Sequence, residues 1–152
     1  MEDAMAQDDN GQGLSRDDLH ENPIQQFEYW LAQAEVTGIA DANAMTLATV
    51  AKDNRPSQRI VLLKDFDEAG FVFYTNLESR KAQEIDGNPQ VSLHFAWLGL
   101  HRQVCISGHA EKLPATEAFR YFVTRPQNSQ LSAWASQQSR PISSRQLLEQ
   151  QF

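Results

Sequence analysis

Three short blocks hold the side chains with the most chemical potential: Gln58-Arg59-Ile60-Val61-Leu62-Leu63-Lys64, Phe73-Tyr74-Thr75-Asn76 and Ser79-Arg80-Lys81. Arg59 begins an otherwise apolar strand-like run and Lys64 ends it. Five positions apart, they point to opposite faces of a regular strand. Two accounts fit them: strand-end charges reaching water, or donors aimed at an anion. Arg80 and Lys81 stand at the start of a helical segment, where cations oppose the macrodipole and a bound phosphate would reverse that cost. A solvated charge pair is the alternative. Tyr121 and Arg125 lie one helical turn apart, with Ser129 beyond, and could form a second anion cradle. Otherwise they are an exposed tyrosine and an arginine meeting the C-terminal end of the helix dipole. Gln103 and the pair Gln138-Ser139 read, on pattern alone, as surface polar groups.

Composition frames these clusters. A chain of 152 residues with 41% hydrophobic content has room for one domain with its own core. A formal net charge of −7 argues against nucleic-acid or membrane partners, since polyanionic surfaces would be repelled. Any anionic ligand must then be held by a local group of cations. The single cysteine, Cys105, excludes an intramolecular disulfide and suits a reducing compartment, with the cytoplasm as default. The four histidines show no metal-ligand spacing, so no metal site is expected. GxSxG, GxxxxGK[ST] and GxGxxG patterns do not occur, which removes hydrolase, P-loop and Rossmann readings. There is no apolar run of about 18 residues and no signal-peptide start, so the expectation is a soluble, untargeted protein.

The elements that must position these residues follow from periodicity and punctuation. Residues 1–21, acidic and without aliphatic periodicity, are expected to be a disordered tail, and 22–152 a single domain. Asn22, Pro23 and Gln25 open a helix over 23–36. Strands over 45–52 and 57–64 form a hairpin around Asp53-Asn54-Arg55-Pro56. After an acidic link come a strand over 71–75 and a short helix over 77–85, then strands over 90–97 and 102–113, the second bending at Gly108. A helix over 114–124 gathers Ala118, Phe119, Phe122 and Val123 on one face and stops before Pro126. Short helices over 129–136 and from Ser143 follow, the last broken off at Phe152. Five strands, with helices between and after them, give an α+β, mainly antiparallel fold: a small barrel flanked by helices.

RIVLLK (59–64), FYTN (73–76), SRKAQEI (79–85), NPQVSL (88–93), RQV (102–104), RYF..RP..SQ (120–130) and WAS.QS..IS (134–143) together resemble the pyridoxine/pyridoxamine 5′-phosphate oxidase family, in its order and spacing from about Asn22 to Phe152. The resemblance implies an FMN-binding split β-barrel and a homodimer with FMN at the subunit interface. Arg59, Ile60, Val61, Leu62, Leu63 and Lys64 would line the flavin, with Tyr74 and Thr75 beside it and Arg80 and Lys81 on its phosphate. Gln103, Gln138 and Ser139 match further FMN contacts. Lys64, Tyr121, Arg125 and Ser129 match positions that hold the substrate phosphate. The implied reaction oxidises pyridoxine 5′-phosphate or pyridoxamine 5′-phosphate to pyridoxal 5′-phosphate with oxygen as acceptor, without a side-chain nucleophile. Alternatives are a non-catalytic protein binding FMN or B6 phosphates, and another split-barrel flavoenzyme such as a flavin reductase.

Two departures stand out. Ala6 and Asp9 occupy the positions of the family's N-terminal Arg-x-x-Tyr element. The C-terminal block with Trp-Gly-Gly and Arg-x-His-Asp-Arg does not occur, so the chain reads as truncated, and weak flavination, association through an open barrel edge and low turnover are expected of it.

Overall fold

The computed structural model describes residues 14–124, and the chain divides into two compact units between Ala42 and Asn43. In the first, Ser15 caps a 3-10 turn over Arg16–Asp18 through a reciprocal capping box. Helix α1 (Pro23–Val36) begins where expected. The Asn22 side chain accepts from the Ile24 N–H at 2.7 Å and proline occupies the first turn, where its missing N–H costs nothing. Gln26 also reaches back, accepting from the His20 N–H at 2.7 Å.

The second unit is built on a four-stranded antiparallel sheet in the order β2-β1-β5-β6, from β1 (Ala44–Val50), β2 (Pro56–Leu62), β5 (Gln90–Trp97) and β6 (Arg102–His109). Its hairpin turns at Asn54, whose φ of 62° is the left-handed conformation that asparagine tolerates. Pro56, which has no N–H for a ladder, starts β2 at one end of the sheet order.

Register sorts the side chains into two faces. Leu47 opposes Arg59 on one side and Leu93 on the other, while Thr46 opposes Ile60 and His94. The inner face therefore carries Met45, Leu47 and Thr49, then Ser57, Arg59 and Val61, then Leu93, Phe95 and Trp97. Phe95 and Trp97 pack at 5.5 Å between ring centroids and form the centre of the core with Met45 and Leu47. The outer face carries Ile60, Leu62, Thr46, Ala48, His94 and Gln103.

The segment read as one strand over 71–75 is instead a small hairpin of β3 (Asp65–Asp67) and β4 (Gly70–Val72), giving six strands among the described residues. The acidic link itself pairs: Asp67 Oδ1 accepts from the Ala69 and Gly70 N–H groups and closes the turn, Gly70 adopts a φ of 152°, and Phe66 stacks on Phe71. Helix α2 (Arg80–Gly87) starts three residues later than expected because Ser79 caps it, and β6 ends at His109 rather than 113. Helix α3 (Ala115–Thr124) leaves Phe119 and Val123 of the expected apolar face exposed, while Ala118 and Tyr121 are half-buried. Among the described residues no helix is long and apolar enough to cross a membrane. The expected helices beyond 124 lie outside the described residues.

Phe95, fully buried in a central strand, should be the most demanding core position. Phe95→Ala is expected to cost about 3–5 kcal/mol in urea unfolding, and a loss below about 1 kcal/mol would show that the core lies elsewhere.

Candidate functional site

Arg59, Arg80 and Lys81 come together where the inner face of β2 meets the start of α2. Alternation along β2 puts Ser57 and Arg59 on the same side, and the β1 register sets Thr49 opposite Ser57. Against them α2 presents Glu84, only 7% exposed. One oxygen of Glu84 accepts from Ser57 Oγ at 2.6 Å, from Thr49 Oγ1 and from an Arg59 amino group at 3.1 Å. The other accepts from Arg80 Nε at 2.8 Å. Arg59 also donates to Thr49 Oγ1 at 2.6 Å and to the Leu47 carbonyl at 3.2 Å, so its side chain is only 19% exposed. It is not a strand-end charge reaching water.

Lys81 Nζ donates to Thr75 Oγ1 at 3.1 Å, and Thr75 lies within 3.3 Å of Ser79 Oγ, the fully buried cap of α2. Burial, and then the charge of Arg59, hold the Lys81 ammonium below its ordinary pKa. Burial pushes the Glu84 carboxyl upward, but the bonds from Ser57, Thr49, Arg80 and Arg59 together outweigh it and bring the group down to about 2. Among the described residues, Arg59, Arg80 and Lys81 gather around Glu84 beside a helix N-terminus, in a chain of net charge −7. This donor set, two guanidiniums, an ammonium and hydroxyls, suits a phosphate ester.

Tyr74 and Tyr121 stack with ring centroids 3.7 Å apart and planes within 1°. Burial, then the neighbouring Tyr121, Asp65 and Glu117, raise the Tyr74 phenol. An aromatic wall thus stands on the stretch that leads from β4 to Thr75.

The other residues singled out from sequence are more scattered. Val61 is half-buried on the inner face and Leu63 is buried, while Ile60, 65% exposed, and Leu62 point outward. Lys64 is exposed just past β2, its backbone N–H bonded to the Val72 carbonyl. Gln103 is exposed on the outer face of β6, with its Oε1 3.2 Å from His94 Nε2. Arg125, Ser129, Gln138 and Ser139 lie outside the described residues. Sequence reasoning missed Thr49, Ser57 and Glu84, and it named Ser79 without its role as the cap of α2. Only the four-residue spacing of Arg80 and Glu84 was there to suggest an ion pair.

The low pKa of Glu84 links this site to stability. Its carboxylate contributes stability that is fully present above pH 4.5 and is lost as pH falls towards about 2. The expected loss is about 3 kcal/mol, seen as a falling urea midpoint. Glu84→Gln should flatten that part of the profile, and an unchanged slope would show that the carboxylate is not held as described.

Comparison with known proteins gives a consistent picture. A family model described as pyridoxamine 5′-phosphate oxidase matches residues 31–152. The pyridoxine/pyridoxamine 5′-phosphate oxidase of Hahella chejuensis is 61% identical over 141 residues, covering 92% of this chain and 66% of that protein. The enzyme of the same name from Rippkaea orientalis is 54% identical over 149 residues, covering 98% and 70%. The chain thus spans roughly two thirds of the length of these relatives. Among solved structures, PhzG from Burkholderia lata, in complex with tetrahydrophenazine-1-carboxylic acid, superposes with a TM-score of 0.85 at 30% identity over 91% of this chain and 70% of its own. A pyridoxamine 5′-phosphate oxidase-related, FMN-binding protein from Nostoc punctiforme shares the fold at a TM-score of 0.67 and 16% identity, over 86% of this chain and 73% of its own. The α+β, antiparallel architecture is therefore that of the FMN-binding split barrels, and with a family match running from α1 to the end of the chain, this protein belongs to the pyridoxamine 5′-phosphate oxidase family.

Proposed function

We propose that the chain binds FMN and takes part in the oxidation of pyridoxine 5′-phosphate or pyridoxamine 5′-phosphate to pyridoxal 5′-phosphate. The observation that carries this reading is the cationic cluster of Arg59, Arg80 and Lys81 at the start of α2, a local positive field in an acidic protein. Bound FMN would supply the two-electron chemistry, with oxygen as final acceptor and hydrogen peroxide as product. Arg80 and Lys81 would hold its phosphate, aided by the N–H groups of the first turn of α2. Residues 59–64 would run along the flavin, and Tyr74 with Thr75 would flank it.

The substrate phosphate would be held by Lys64, Tyr121, Arg125 and Ser129, a second set on other elements. Orientation would be the protein's main contribution, because holding cofactor and substrate in one site reduces the entropy cost of their encounter. Gln103 lies on the opposite sheet face from Arg59, so a role for it at the flavin favours a homodimer in which each copy supplies Gln103, with Gln138 and Ser139, to the other's site. The exposed Ile60 and Leu62 on the same outer face suit such a partner surface.

Anaerobic mixing of the FMN-loaded chain with pyridoxine 5′-phosphate should bleach the flavin absorbance. Stoichiometric FMN with no bleaching would support a non-catalytic binding protein instead. Arg125→Ala is expected to weaken pyridoxal 5′-phosphate binding by about 2 kcal/mol, roughly thirtyfold, while FMN binding stays the same. Parallel loss of both ligands in equilibrium titrations would mean that the two anion sites are one.

A further inference from the structure

Glu84 has no place in the ligand set proposed above, yet its carboxylate is where the two strands and the helix of the cluster meet. Its carboxylate joins Thr49 of β1, Ser57 and Arg59 of β2, and Arg80 of its own helix. Burying a carboxylate is costly, and an apolar set of similar volume in place of the whole ion-pair cluster often stabilises a fold at least as well. Stability alone therefore does not account for an acid here. What the carboxylate does accomplish is geometric. Arg80 is held at Nε while its side chain stays 62% exposed, so the guanidinium projects from a fixed anchor. Arg59 is held by the same group from the strand side. Two long, rotamer-rich side chains are thus ordered before any ligand arrives.

We infer that Glu84 is a positioning residue for phosphate recognition, holding the Arg80 guanidinium, braced from the strand side through Arg59, in the orientation that distinguishes a flavin phosphate ester from the unphosphorylated flavin. The inference rests on the FMN reading above. It also opposes simple charge counting, since a carboxylate beside a phosphate is repulsive and its removal should tighten phosphate binding if net charge were all that mattered.

The test is a fluorescence titration of the full chain with FMN and with riboflavin, alongside thermal unfolding, for the unmodified protein, Glu84→Ala and Glu84→Gln. Glu84→Ala should lower the ratio of FMN to riboflavin affinity by about tenfold or more, with riboflavin affinity unchanged. Glu84→Gln keeps one acceptor oxygen but turns an amide N–H2 towards a guanidinium, so its ratio should fall between the two. If Glu84→Ala does not fold, Glu84→Gln decides alone. A ratio that is kept or raised, or equal loss of both flavins, would overturn the inference and leave Glu84 a structural residue. Equal affinity of the unmodified chain for the two flavins would instead overturn the FMN reading, and this inference with it.

Discussion

An ionised carboxylate that is almost sealed from water must find hydrogen-bond donors on every side, or the fold that buries it loses several kcal/mol. Glu84 meets that requirement with two hydroxyls and two guanidiniums drawn from β1, β2 and α2. The demand fixes more than one side chain. Thr49 must stand opposite Ser57, Arg59 must share their face, and α2 must be capped at Ser79 so that Arg80 and Glu84 lie one helical turn apart. A slip of one residue between β1 and β2 would move Arg59 to the outer face and leave the acid without its strand-side partners.

On the reading proposed above, the same network would also serve as a recognition surface. One acid gathers two arginines, with Lys81 nearby on Thr75, so three cations stand close together at a helix N-terminus. On that reading an acidic chain would hold an anionic ester without becoming a general polyanion binder. The sheet separates the two tasks: its inner face carries the aromatic core and the Glu84 network, and its outer face carries Ile60, Leu62 and Gln103. The Tyr74–Tyr121 stack brings α3 to the stretch that leads into α2.

Strong local signals were legible in the sequence. Asn22-Pro23 and Gly87-Asn88-Pro89 are punctuation that acts through the backbone of adjacent residues, and the bounds of α1 and β5 follow from it. The β3–β4 hairpin was not legible, because three-residue strands offer too little alternation and Asp65 and Asp67 disguise them as a link. The family blocks pointed to Arg59, Arg80 and Lys81, but the partners of these cations stayed hidden. Thr49 and Ser57 become a pair only through register, and the burial of Glu84 depends on where α2 rests against the strands, neither of which is encoded in a local window. The exposed Phe119 and Val123 show the same limit from the other side: their helical spacing suggested a buried stripe, yet α3 turns Tyr121 to Tyr74.

The most direct test of this account is an experimental structure of the chain with FMN. The phosphate oxygens should lie within hydrogen-bond distance of the Arg80 and Lys81 side chains, with Glu84 still bound to Ser57 and Arg59. A phosphate held by another element, or a Glu84 carboxylate expelled from its network by the ligand, would contradict it.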